Sequence, residues 1–199
     1  MQGGFASRLG QIGLFAAPKL GNNIHGKIER MAVEEIILNG QKVTTLRELL
    51  RPGLKAVFVG LNPAPISVNL GHYYQGRHGR RFWKRLREYH IAPALPLGAE
   101  DDAAFAYGYG FTDLVRRPTG SSKELTRGEM SAGVNDLGIR LSITGDHPLI
   151  VFTYKDPWTF AGAHIAEIGY GVLRMPGPFM EKVSADAMMK DLQIALCIA

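Results

Sequence analysis

The chain has 199 residues, 46% of them apolar and 21% charged, with a net charge of +5 at pH 7 and a pI of about 9.4. That balance suits one α/β domain with a sizeable core and excludes a chain disordered throughout. No apolar run reaches the ~18 residues of a membrane span, and one cysteine, Cys197, leaves no internal disulfide, cysteine-built zinc site or iron–sulfur cluster.

Residues 1–42 read as an N-terminal arm, loosely ordered or peripheral. No acidic residue precedes Glu29. The apolar stretch 12–17 is too short and too broken by Gly and Pro for a signal peptide, so the expected location is cytoplasmic. Met31 is an alternative start, and a weakly basic arm can add a DNA contact. From about residue 43 strand and helix signals alternate, and 43–199 reads as a single domain. Thr45 to Leu50 has the pattern of a short helix stopped by Arg51, Pro52 and Gly53. Residues 55–59 (KAVFV) are an apolar run bounded by turn residues, a buried strand. A long loop, 60–79, follows.

Arg80 to Tyr89 then reads as a helix, with Phe82, Trp83, Leu86 and Tyr89 on one face. After a connector at 95–98, Asp101 to Tyr107 is another short helix. Residues 109–115 hold a second strand and its exit. Thr126 and Glu129 have the spacing of a capping box, which starts a helix running to about Ser142. Residues 148–153 are a third strand. Asp156 and Pro157 pair an N-cap with proline at the first helical position of a helix ending near Ile168. Residues 171–175 are a fourth strand, and a last helix starts at Ser184 or Asp186.

Strands separated by helices imply a mostly parallel sheet covered on both faces. Ligands in such folds bind beyond the carboxyl ends of the strands. Four loops therefore converge: 60–79, 112–124, 153–156 and 176–183. In the first, Asn62 stands between Gly60 and Pro63 in GLNPAP (60–65), so its backbone is tightly specified. An amide does not titrate near neutral pH, but it can hold a water by accepting one hydrogen bond and donating others; the alternative is an Asx-turn. GHYYQG (71–76) places aromatics in a glycine-rich loop, where one ring can stack on a base and the other serve the core. Residues 77–87 carry six Lys or Arg and no acidic residue. Arg77, Arg80, Arg81 and Lys84, with Arg116, Arg117, Lys123 and Lys155 on the other loops, form a candidate phosphate surface; a solvated basic face is the plainer alternative.

GLNPAP, GHYYQG and RRFWKRL (80–86), followed by GFTDLVRRPT (110–119) and GSSKEL (120–125), resemble the mismatch-specific uracil-DNA glycosylase and thymine-DNA glycosylase family. The resemblance resumes at Met175, Pro176 and Gly177 and spans about residues 45–197. It implies a three-layer α/β/α fold around a four-stranded parallel sheet. The implied activity is hydrolysis of the N-glycosidic bond of uracil in single- or double-stranded DNA, after the nucleotide is flipped out. The implied enzyme starts base excision repair as a monofunctional glycosylase and works without metal or other cofactor; a monomer is the expectation for a protein that must track along DNA.

By the same resemblance Asn62 positions water, Tyr74 stacks on the base, and Gly60, Leu61 and Pro63 shape the pocket with Phe82, Thr112 and Lys155. The DNA contacts would add Pro176 and Gly177. The chain also departs from the family. Ala64 replaces a usual Gly, and the loop 177–181 (GPFME) lacks the family's arginine. Phe179 is there either an apolar wedge or a core residue. The His-bearing loop of other uracil glycosylases is absent, Met175 taking its place. Asp113 is a carboxylate that can stabilise an oxocarbenium ion or take a proton from water, or else a turn or cap residue. A competing reading keeps the fold but loses hydrolysis, leaving a module that binds lesions or abasic sites. Another is a hydrolase of small nucleotides, which would not need the basic run.

Overall fold

The computed structural model describes residues 32–92, 96–177 and 179–198. Residues 1–31 of the expected arm lie outside them. The chain enters through an antiparallel hairpin, β1 (Val33–Leu38) and β2 (Gln41–Leu46). Asn39 and Gly40 turn it, both with positive φ (49° and 76°), the backbone that a two-residue hairpin turn requires. The hairpin takes in residues 33–42, which composition assigns to the arm. It also corrects the expected helix at 45–50: Thr45 and Leu46 are strand residues paired with Glu34 and Val33, and Leu49 bridges to Phe111.

The central sheet is β3 (Ala56–Gly60), β4 (Tyr109–Asp113), β5 (Leu149–Phe152) and β6 (Val172–Arg174), in the order β4-β3-β5-β6, with every pairing parallel. Alternation along β3 splits the core. Ala56 and Phe58 face a layer that includes Phe111, Trp83, Leu86, Met189 and Leu192; Val57 and Val59 face Leu137, Leu141, Ala161 and Ile165. The first layer is built by α2 (Arg77–Glu88), α3 (Glu100–Ala106) and α6 (Lys182–Ala195), and the second by α4 (Arg127–Leu141) and α5 (Lys155–Glu167). The fold is thus the expected three-layer α/β/α sandwich on a four-stranded parallel sheet.

Three local readings differ. The loop 60–79 contains α1 (Pro65–Leu70), with proline at its start and Gly71 closing it in the left-handed region. Helix α2 starts at Arg77, three residues early. Helix α5 starts at Lys155, so Asp156 lies inside its first turn and Tyr154 is the N-cap. The capping box at Thr126 and Glu129 is present as the spacing predicts.

Candidate active site

Strand β3 is central: the chain passes from it to β4 on one side and then crosses back to β5 on the other. The loops beyond its carboxyl end therefore splay apart and open a crevice. A cleft of about 690 Å³ lies there, lined by residues of all four expected loops. Its floor and rim differ in depth. Gly60 and Asp113, paired in register at the ends of β3 and β4, are buried on the floor, while Leu61 and Asn62 are half-buried at the rim. A Cβ on Gly60 would collide with the Asp113 carboxylate, and the Tyr74 hydroxyl would stand 3.2 Å from it. Glycine is what lets those two groups converge.

Asn62 is fixed by its amide nitrogen. Nδ2 donates to the Thr119 hydroxyl (2.8 Å) and the Arg117 carbonyl (3.1 Å), and more distantly to the Pro63 carbonyl. The Thr119 hydroxyl passes its own proton to the Ser121 carbonyl (2.9 Å), which leaves its oxygen to accept from Asn62. With Nδ2 committed, Oδ1 is the free end of the amide and accepts no hydrogen bond among the described residues. This is more than an Asx-turn: the partners come from a loop more than fifty residues away. Thr119 went unnoticed as a site residue in the sequence, although it ends the RPT segment.

The Tyr74 ring lies 4.2 Å from Phe82 between centroids, and its φ of 58° turns it into the cleft wall. Its hydroxyl donates to Thr153 (3.5 Å). Burial, then the Asp113 charge, pushes the Tyr74 phenol well up. Both Tyr73 and Tyr74 are buried, so the pair is less divided between site and core than their polar setting suggested. The loop carrying them is clamped: Asp101 accepts from the Tyr73 amide (2.9 Å) and pairs with His72 Nδ1 (2.8 Å), and Trp83 Nε1 donates to the Tyr73 carbonyl. His72, Asp101 and Asp102 bring potential metal-ligating atoms within 4.8 Å of one another, but Asp101 is already committed to holding the loop.

Asp113 is 3% exposed. Burial raises its pKa to about 7, against the lowering pull of Arg116 and Arg140 and with Glu48 adding to the rise. Its carboxylate makes no hydrogen bond among the described residues and caps nothing. Tyr154, whose phenol burial and Asp113 push up to about 12, lines the cleft beside Lys155. The rule that ligands sit past strand ends points to Tyr154 as well as to Lys155.

A family model for the uracil DNA glycosylase superfamily matches residues 48–182. The chain belongs to that superfamily. A solution structure of a Methanosarcina acetivorans protein, provisionally designated a uracil DNA glycosylase, matches it with a TM-score of 0.52 and 16% identity, over 75% of this chain and 97% of that one. At that identity the match speaks for the fold. Superfamily membership makes the protein a DNA glycosylase by class and DNA its substrate.

Against that background the expected DNA contacts divide. Arg77, Arg80, Arg81 and Lys84 are exposed along α2, as are Lys123 in the loop after β4 and Lys155 at the first position of α5. Gly177 and Arg77 line the cleft, and Pro176 lies just behind it, its carbonyl accepting from Arg85 (2.6 Å). Phe179 is 77% exposed, its ring 4.9 Å from the Arg81 guanidinium and 5.7 Å from His78, so it is not a core residue.

Four assignments are corrected. The Arg116 side chain is only 10% exposed and turned inward, bonded to Glu34 (2.8 Å), Glu48 (3.0 Å) and the Leu46 carbonyl. Arg117 is bound to Glu129 (2.5 Å) and the Glu124 carbonyl. Thr112, fully buried, points to the far side of the sheet, bonded to Glu48 and to Arg140 (2.7 Å). Neither arginine is a free phosphate ligand, and Thr112 is not in the cleft. Phe82 supports Tyr74 from the core, without lining the cleft.

Proposed function

We propose that this glycosylase excises uracil from DNA by hydrolysis of the N-glycosidic bond, as a monofunctional enzyme of the mismatch-specific uracil-DNA and thymine-DNA glycosylase branch. The carrying observation is the Asn62 amide, held by Thr119 and Arg117 with its oxygen uncommitted at the rim of the cleft. An extruded nucleotide enters base first, so its glycosidic bond comes to rest near the rim. There Oδ1 accepts a hydrogen bond from one water and holds an oxygen lone pair toward C1′, a gain of orientation rather than of basicity. The base departs as an anion, and the water's proton goes to solvent as the C1′–O bond forms.

Tyr74 offers its ring to the base. Arg77, Arg80, Arg81, Lys84, Lys123 and Lys155 meet phosphates, and Phe179 fills the gap left in the stack. The exposed row on α2 favours this reading over a small-nucleotide hydrolase.

The test is uracil release from single-stranded and G·U duplex oligonucleotides by the wild type, Asn62→Ala and Thr119→Val. Asn62→Ala should lower the single-turnover rate about 10²–10⁴-fold, and Thr119→Val by less, with oligonucleotide affinity held. Strands should break only after alkali, and borohydride should trap no adduct through Lys155. Wild-type binding without release from either substrate would instead favour the lesion-binding module.

A further inference from the structure

Arg85 belongs to the basic run of α2, yet the phosphate surface leaves it without a role. Around an ideal helix Arg77, Arg80 and Lys84 fall within about 60° of one another, and all three are exposed. His78, Arg81, Arg85 and the C-cap Tyr89 form a second stripe, between that row and the buried face of Phe82 and Leu86. This second stripe faces one stretch of chain, from the end of β6 into α6. Arg85 Nη1 donates to the Pro176 carbonyl (2.6 Å) and, at longer range, to the Gly177 carbonyl (3.4 Å). The Phe179 ring lies 4.9 Å from the Arg81 guanidinium and 5.7 Å, edge to face, from the His78 ring. The Tyr89 hydroxyl donates to Asp186 in α6.

The stretch that the stripe faces is tied down on the sheet side as well. The Met175 N–H donates to the Phe152 carbonyl (2.8 Å), which joins it to β5. The Met180 N–H then donates to the Gly177 carbonyl (3.2 Å) and closes a turn that carries Phe179. Phe179 lines the cleft from this turn while staying largely exposed. Where its ring stands is therefore set by the base of the turn, and Arg85 is the side chain that fastens that base to α2.

We propose that Arg85 is a positioning residue for nucleotide extrusion: it fastens the turn so that Phe179 stands preset at the mouth of the cleft, ready to fill the gap left in a duplex. This rests on the reading of the cleft as the seat of an extruded uracil, with Phe179 as the wedge. A ring already held in the free protein does not have to be ordered when it enters the DNA stack. A guanidinium suits the task, because a charged donor makes a shorter and stronger hydrogen bond to a carbonyl than a neutral one does. With its Nη1 on those carbonyls, Arg85 acts on DNA through Phe179 rather than through a phosphate. A single strand offers no stack to fill, so Arg85 should matter in duplex DNA alone.

The experiment uses the full chain and compares the wild type with Arg85→Met, Phe179→Ala and the double variant. Methionine keeps much of the aliphatic bulk and removes the donor. Two quantities are measured. One is single-turnover uracil release from single-stranded and G·U duplex oligonucleotides. The other is the fluorescence of 2-aminopurine beside a non-cleavable 2′-fluoroarabino-uracil in the duplex, which rises as the base leaves the stack. Arg85→Met should slow duplex release and the fluorescence rise about 10-fold. Single-strand release should hold, and so should the slope of log affinity against log salt. Added to Phe179→Ala, Arg85→Met should cost nothing further on the duplex, since it acts through that ring.

Equal loss on both substrates would overturn the proposal, because it marks a merely structural residue. A salt slope reduced by about one would overturn it in favour of a phosphate contact. Additive losses in the double variant would also overturn it. Should Arg85→Met fail to fold, Arg85→Gln, polar but too short to span the gap, takes its place in the same comparison. An Arg85-dependent fluorescence rise without uracil release by the wild type would sink the excision reading and spare this one. Neither rise nor release would sink both.

Discussion

Asp113 keeps its proton to about pH 7 at a cost that stability measurements can read. In the unfolded chain an aspartate titrates near ~3.9. Below that value both states are protonated and the residue costs nothing. As pH rises from ~4 to ~7, the unfolded chain releases a proton that the folded chain retains, so stability falls; above ~7 the full cost is in place. At ~1.4 kcal/mol per pH unit this amounts to about 4 kcal/mol at most. Asp113→Asn should therefore be more stable than the wild type at pH 8, with the gap closing toward pH 4, as urea unfolding at the two pH values will show. Single residues were also where the sequence was least informative. Arg116 and Arg117 sit in a basic stretch beside the site, yet Glu34 and Glu48, distant in sequence, draw Arg116 inward, and Glu129 ties down Arg117 while leaving it 34% exposed. Nothing in a string of arginines states which way each one points.

Helix α4 shows how much a local signal can carry by itself. Thr126 Oγ1 accepts from the Glu129 amide (3.1 Å), and the Glu129 carboxylate accepts from the Thr126 amide (2.9 Å) while pairing with Arg117. The hydrogen bond from Arg117, followed by that from the Thr126 amide, holds the Glu129 carboxyl down at about 2. Thr126→Ala should cost about 1 kcal/mol, measured as a lower urea midpoint at unchanged slope. Such short-range devices made the helices and the four core strands legible: apolar runs bounded by turn residues, and caps at fixed spacing. The hairpin was missed although Asn39 and Gly40 are a strong turn signal. Its strands are only partly buried and carry Glu34, Glu35 and Lys42, so alternation was faint. Helix α1 was missed because six residues opened by proline look like loop.

For the molecule as a whole, the relevant quantity is where its modest net charge sits. The exposed row Arg77, Arg80, Arg81 and Lys84 lies on the helix that borders the cleft, while the Arg116 and Arg140 charges are consumed inside. Replacing Arg80 and Lys84 with Ala should reduce the slope of log affinity against log salt by about 2, one for each lost phosphate contact, with little change in melting temperature. Arg116→Ala should do the reverse, leaving the slope intact and costing about 1–3 kcal/mol, since Glu34 loses its arginine while the half-buried Glu48 keeps Arg140. Oligonucleotide titrations from 50 to 200 mM salt separate the two. The placement of the cleft was readable at this scale before any coordinate, because strand order and loop convergence follow from topology. The Asn62–Thr119 contact was not, because it depends on how two distant loops settle against each other.

The contact between Gly60 and Asp113 reaches beyond this one chain. A methyl group at position 60 requires the Asp113 carboxyl at the end of β4 to turn aside. Sequence change at the two positions is therefore coupled. A lineage that has shortened residue 113 accepts a methyl group at residue 60 more readily than one that keeps the acid. Alanine at position 60 should then travel with loss of the acid, an imprint of substitution history left by a single steric contact.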